Sequence, residues 1–178
     1  MGVHVLERRQ VLNAAMEEVF GFFEDPLNLE ELTPAWLGFR ILDATDPSVR
    51  QGTQIHYRLK WGPFGMDWRS RITEYEPGRL FADEMLEGPY RSWYHRHVFT
   101  EVEGGVEMLD RVEYEMPFGP LGRVAHALVV RRQLTAIFDF RALAVSRRFG
   151  AITSLEADSA RGHGGHAARV PETEATPS

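Results

Sequence analysis

Cysteine does not occur anywhere in this sequence, which removes disulfides and thiolate metal ligands from consideration. Also missing is any apolar run long enough to cross a bilayer, and the first residues show no charged-then-apolar signal segment. Cytoplasmic residence, with no transmembrane segment, is the expectation. Positive charge is in short supply too: 20 Lys and Arg stand against 26 Asp and Glu, a formal net charge of −6. That balance opposes a phosphate backbone, and the basic pairs Arg131-Arg132 and Arg147-Arg148 fall in a helical pattern without interleaved stacking aromatics. Nucleic acid is therefore not an expected partner. Gly119, Gly122 and Gly150 do not compose the G-x-G-x-x-G turn that cradles a pyrophosphate. No G-x-S-x-G elbow presents a nucleophilic serine, and no repeat recurs at solenoid periods.

What is present describes an ordinary folded domain, 43% hydrophobic and 26% charged. A body of about 150 residues buries roughly 70% of the surface its unfolded chain exposes, so a sizeable core is affordable. One domain is expected over residues 1–149. Residues 150–178 turn to small and polar types, with His163 and His166 set among Gly162, Gly164 and Gly165 and followed by Pro171 and Pro177. This composition predicts a disordered tail whose histidines have no fixed geometry for a metal.

Residues 3–11 mix β-branched and charged types as a strand does, and Asn13 offers an N-cap for a helix over 14–24 that carries Met16, Val19, Phe20 and Phe23 at helical spacing. Asp25-Pro26 caps a second, short helix through Asn28 and Leu29, ended by Thr33-Pro34. Strands are predicted at 39–44, 53–61, 66–75, 80–87, 91–102 and 106–116, separated by turn residues. From 120 to 149, Leu121, Val124, Ala125, Leu128, Ile137, Phe138 and Val145 form an interrupted apolar face, which predicts one long helix with room for a kink. The fold class is α+β: a strongly bent antiparallel sheet wrapped around a long C-terminal helix, with two short helices after the first strand.

Side chains alternate across a strand, so turn lengths fix which residues look inward. A two-residue turn at Gly104-Gly105 sets Phe99 opposite Asp110, His97 opposite Val112 and His95 opposite Tyr114. A loop of Glu76-Pro77-Gly78-Arg79 sets Ile72 opposite Asp83 and Ser70 opposite Met85, and one at Gly88-Pro89-Tyr90 sets Asp83 opposite His95. The inward face then carries Tyr57, Leu59, Trp61, Trp68, Ile72, Phe81, Met85, Trp93, Phe99, Val112 and Tyr114, together with Asp83, His95, His97 and Asp110. Apolar walls with a few placed polar groups are the make-up of a pocket of about 300 to 1,000 Å³. The arginines at 69, 71, 91, 96 and 111 fall on the outer face beside Glu87, Glu101, Glu107, Glu113 and Glu115 as cross-strand ion pairs.

Inward aspartates beside histidines need compensation, because a buried carboxylate is costly unless it is paired. Asp83 with His95, and His97 with Asp110, are the two candidate pairs. They either move protons on a bound carbonyl compound or satisfy one another and hold the sheet register. His95 and His97 stand two apart on one strand face, as in metal sites, and Asp83 and Asp110 are near. With no cysteine and no fixed third ligand, neither a metal nor another cofactor is expected.

Five stretches resemble the bacterial ligand-binding branch of the START and polyketide-cyclase superfamily, known as SRPBCC. They are Asp25-Pro-Leu-Asn-Leu, Leu32-Thr-Pro-Ala-Trp-Leu-Gly-Phe, Trp68-Arg-Ser-Arg-Ile-Thr-Glu-Tyr-Glu-Pro-Gly, Gly88-Pro-Tyr-Arg-Ser-Trp and Met116-Pro-Phe-Gly-Pro-Leu-Gly. The resemblance covers about residues 3–149 and implies a helix-grip fold. Its members are similar to lipid carriers, quinone-binding proteins, polyketide cyclases and plant hormone receptors. It implies a lipid, quinone or polyketide-like molecule held in the cavity, with a cyclase or dehydratase using the His/Asp pairs as the alternative. A third reading, a partner-binding module, needs an exposed apolar patch. A monomer or weak homodimer is expected.

Overall fold

The computed structural model describes residues 2–61, 64–117, 119, 124 and 126–151. Strand β1 (His4–Leu12) leads into helix α1 (Met16–Glu24) and two 3-10 turns, Pro26–Leu29 and Ala35–Leu37. Then come β2 (Arg40–Ala44), β3 (Gln54–Trp61), β4 (Phe64–Glu76), β5 (Leu80–Glu87), β6 (Ser92–Val102) and β7 (Gly105–Glu115). A π-helical turn, His126–Val130, precedes helix α2 (Arg131–Phe149). The strands form one seven-stranded antiparallel sheet in the order β1-β7-β6-β5-β4-β3-β2. The sheet is curved, and with α2 it makes the helix-grip fold that the sequence predicts. Among the described residues no helix is long and apolar enough to cross a membrane.

Two apolar clusters join helices to sheet. In one, Val19, Phe20, Phe22 and Phe23 of α1 pack with Phe99, Met108, Val145 and Phe149. In the other, Leu134 and Phe138 of α2 pack with Trp68, Tyr90, Val112 and Tyr114. The buried face of α2 consists of Leu134, Phe138, Arg141, Val145 and Phe149, at the three- and four-residue spacing of one helical stripe. Chain order is closed at one corner, where the Asn13 amide donates to the Gly150 carbonyl at 3.2 Å and Leu12 bridges to Ala151.

Local chemistry explains where the elements depart from expectation. Asn13 does not cap α1, which starts at Met16 without a side-chain cap. Asp25 does cap the following turn, accepting from the Leu27 amide at 2.9 Å. On the long C-terminal segment, Val124 and Leu128 are 57% and 66% exposed rather than part of the apolar face. The π turn at 126–130 supplies the reason: an i→i+5 turn holds an extra residue, so Leu128 within it and Val124 ahead of it fall off the stripe of α2. Leu121 and Ala125 lie outside the described residues, as does the predicted tail from residue 152 onward.

The β6–β7 turn is the largest correction. Val102 pairs with Gly105, so the two-residue turn is Glu103-Gly104, with Gly104 at φ +87°. Gly105 belongs to the strand instead, because a Cβ there would lie 1.9 Å from the Leu12 carbonyl oxygen. Every β6–β7 pair therefore slides by two: Phe99 faces Met108, His97 faces Asp110, His95 faces Val112 and Trp93 faces Tyr114. A two-residue slide preserves the inward face while changing the partners. Between β4 and β5, Glu76 pairs with Leu80 across a turn one residue shorter than expected, and a bulge between Ile72 and Glu74 absorbs the difference. Ile72 then faces Asp83, Ser70 faces Met85, and Asp83 faces His95, as the turn lengths predict. The outer face is laced with ion pairs, among them Arg69–Glu87 at 3.3 Å, Arg91–Glu115 at 3.5 Å and Arg96–Glu74 at 3.4 Å. Each contributes at most about 1 kcal/mol in water.

Candidate functional site: a cavity with one polar wall

Between the sheet, α2 and the segment after α1 lies a cavity of about 150 Å³. Most of its wall is apolar. Tyr57 stacks on Trp68 with ring centres 5.9 Å apart, and Trp68 meets Trp93 edge-on at 5.1 Å. The Trp68 indole donates to Ser70 Oγ at 3.0 Å, so this buried ring carries no unmet donor. Ile55, Leu59, Met66, Ile72 and Phe81 complete the sheet's apolar share.

The polar wall is formed by Asp83, His95, His97 and Arg141. Behind it sits Asp110, 5% exposed, which does not line the cavity. One Asp110 oxygen, Oδ1, is hydrogen-bonded to His95 Nε2 and stands 3.3 Å from His97 Nδ1. The other, Oδ2, stands 3.8 Å from Arg141 Nη1. On the cavity side, His95 Nδ1 is 3.7 Å from Asp83 Oδ2. The two imidazoles lie 4.0 Å apart, with Phe81 stacked on His97 at 4.4 Å and Phe138 edge-on to His95 at 5.4 Å. Rigid rings on both sides thus fix the histidine orientations.

Environment separates the two aspartates. Burial alone would raise Asp110, but His95, His97 and Arg141 together hold its carboxyl well below the usual carboxylate range. Asp83 is raised, because burial outweighs the pull of His95. Burial also holds His97 well below the ordinary histidine range, reinforced by His95, and pushes the Tyr57 hydroxyl well up. The wall therefore presents a neutral imidazole, a carboxyl that accepts protons readily and a fixed guanidinium.

Of the predicted ligand-binding residues, Tyr57, Leu59, Trp68, Ile72, Phe81, Trp93, His95 and His97 line this cavity. Phe99, Val112, Tyr114 and Met85 do not. Phe99 is consumed by packing against Phe20 and Phe23 at 5.3 and 5.4 Å, and Val112 is sealed in the cluster under α2. Tyr114 packs on Tyr90 at 5.6 Å, and the Met85 thioether is pressed against Gly88. The side chain of Trp61 lies outside the described residues. Both predicted pairs stand in proximity, Asp83 beside His95 at 3.7 Å and Asp110 beside His97 at 3.3 Å, and His95 Nε2 shares a further hydrogen bond with Asp110, so that one carboxylate serves both histidines. Strand parity missed the walls contributed by helices and loops, including Phe23, Leu32, Leu134 and Phe138, and above all Arg141. The signal for Arg141 was present: it occupies a place in the stripe Leu134, Phe138, Arg141, Val145 where an apolar residue is due.

The model of the family described as polyketide cyclase/dehydrase and lipid transport matches residues 12–138, from the end of β1 into α2. The chain belongs to this family. It is a member of the SRPBCC superfamily, as the five sequence stretches suggest. No curated protein matches the sequence. Among solved structures, protein CV1439 from Chromobacterium violaceum is 16% identical with a TM-score of 0.60, covering 83% of this chain and 98% of its own. The Zhui aromatase/cyclase from a Streptomyces species is 15% identical with a TM-score of 0.57, covering 82% and 96%. Norcoclaurine synthase from Thalictrum flavum is 16% identical with a TM-score of 0.58, covering 82% and 86%. At these identities the likeness establishes the shared fold and nothing about the reaction.

Proposed function

We propose that the chain binds a small, largely apolar molecule of about one-ring size, with one ligand oxygen directed to the wall of Asp83, His95, His97 and Arg141. The observation that carries this reading is a largely apolar, aromatic-lined cavity in which Asp83, His95, His97 and Arg141 cluster on one wall, with Asp25, Asn28 and Thr33 bordering it from the segment after α1, the composition of a small-molecule site. Size narrows the class. A cavity of about 150 Å³ is the size at which an engineered apolar cavity admits benzene. Of the lipid, quinone and polyketide-like molecules that the family resemblance suggests, a quinone or phenol ring fits whole. A lipid chain or fused polyketide requires the walls to part. The test is mass spectrometry of gently purified protein under native and denaturing conditions, followed by a thermal-shift panel of single-ring phenols and quinones. A co-purifying or stabilising single-ring compound, lost in Trp68→Glu, is the expected result. A protein that arrives empty and responds to no member of the panel overturns the reading.

A second reading is supported by the position of His95, whose two ring nitrogens face Asp110 behind the wall and Asp83 in the cavity. A carboxylate that orients an imidazole, with a second acid in front of it, is suited to moving a proton at carbon next to a carbonyl. Cyclase or dehydratase chemistry then predicts that Asp83→Asn or His95→Gln abolishes turnover while binding persists. Loss of both together leaves only a binding role.

A further inference from the structure

We propose that Asp83, His95 and His97 form a site for one divalent first-row transition metal ion, with Asp110 as the outer carboxylate that holds both histidines. This goes beyond the apolar-ligand reading and does not depend on which molecule fills the rest of the cavity.

The donor set is the first argument. One ring nitrogen from each histidine and one Asp83 oxygen lie within 4.8 Å of one another. Two imidazoles and a carboxylate suit Zn(II), Fe(II) or Co(II), whose bonds to such groups run about 2.0 to 2.2 Å. Spacing is the second. His95 Nδ1 and Asp83 Oδ2 are 3.7 Å apart, too far for a hydrogen bond. Two ligands each about 2.1 Å from a common ion at a tetrahedral angle are about 3.4 Å apart. The separation is thus a few tenths of an ångström from that of neighbours on one metal.

The surroundings supply the third argument. A ligating histidine usually gives its other ring nitrogen to a carboxylate, which fixes its orientation. Asp110 meets His95 in this way, hydrogen-bonded to Nε2 while Nδ1 faces Asp83, and the same carboxylate approaches His97 at Nδ1. His97 Nδ1 makes no hydrogen bond although the residue is 4% exposed, so the ring sits beside its carboxylate with its donor role unfinished. Asp110 offsets the Arg141 guanidinium, and Asp83 supplies the negative charge that faces a dication once the ion displaces any proton it holds. Asp83, His95 and His97 all border the cavity while Asp110 does not, so a fourth position opens toward the space for a ligand oxygen or water. Adjacent strands β5 and β6 carry all three donors, which makes the geometry rigid.

The test is titration of the full, chelator-treated chain with Zn(II) by calorimetry and with Co(II) by visible absorption. The tail histidines His163 and His166 are the competing site, so a His163→Ala/His166→Ala chain is titrated in parallel. The expected result is one ion per chain in both versions, with a Co(II) ligand-field spectrum. Binding is lost in Asp83→Asn and in His97→Phe, which keeps the ring stack on Phe81. Asp110→Asn weakens binding about ten- to a hundredfold. Circular dichroism verifies that each variant is folded, and Asp83→Asn keeps the inference testable should His97→Phe fail. No binding, or binding that survives Asp83→Asn and vanishes with the tail histidines, overturns it. Loss of single-ring ligands with metal binding intact strikes only the apolar-ligand reading.

Discussion

Asp110 is the residue on which the polar wall is assembled, since its two oxygens face His95, His97 and Arg141 while 5% of the residue is exposed. Removing one partner of such a buried charge group leaves the others uncompensated, at a cost of about 3 to 5 kcal/mol. Asp110→Asn is expected to lower stability by that order in urea unfolding at pH 7. Because its folded value is depressed, the Asp110 contribution is complete above the ordinary carboxylate range, about pH 4, and fades only as pH falls below it. His97 behaves differently. Its folded value is also depressed, but for a histidine this means that the unfolded chain takes up a proton the native chain refuses. In chelator-treated protein, stability should decline as pH drops through about 6.5, by up to roughly 1.4 kcal/mol per pH unit from this group. His97→Phe should flatten that slope between pH 6.5 and 5. A slope that is unchanged in the variant assigns the titration elsewhere.

At the scale of elements, the β6–β7 hairpin decides which of these side chains meet. Gly104 occupies the left-handed region at φ +87°, where alanine costs about 1 to 2 kcal/mol. Gly105 faces backbone, since a Cβ would overlap the Leu12 carbonyl oxygen at 1.9 Å and neither strand can yield without breaking its pairing. Denaturant unfolding should therefore rank Gly105→Ala as the more damaging of the two, and equal costs would contradict the close approach. The same hairpin shows what a sequence discloses. Alternation put His95, His97, Asp83 and Asp110 on one face, because parity survives a slide of two residues. Their partners were not legible, because two adjacent glycines allow two turns, and the choice rests on β1, which is distant in sequence. Arg141 was legible only as an interruption of a helical stripe, and strand periodicity holds no information about what a helix brings to the far wall. The outward turn of Val124 and Leu128 rests on a π turn that hydrophobic spacing does not encode.

For the whole molecule, the cavity is a cost as well as a site. At about 24 cal/mol per Å³, a wholly apolar space of 150 Å³ would withhold on the order of 3 to 4 kcal/mol from the fold, an upper bound for a cavity with a polar wall. An occupant recovers part of this, and a ligand at a hundred times its Kd adds about 2.7 kcal/mol to stability. A larger side chain on the wall can take the occupant's place. Ile137 is half-buried on α2 and borders the cavity without joining the polar wall. Ile137→Trp is expected to retain the wild-type melting temperature or raise it, while eliminating the thermal shift produced by single-ring phenols or quinones. Metal titration of the same variant should be unchanged, because Asp83, His95 and His97 lie on the sheet and not on α2. A variant that still responds to the ring compounds places them outside this cavity. A large fall in melting temperature shows instead that the space is too tightly shaped for the indole, in which case Ile137→Phe carries the same comparison with a smaller ring.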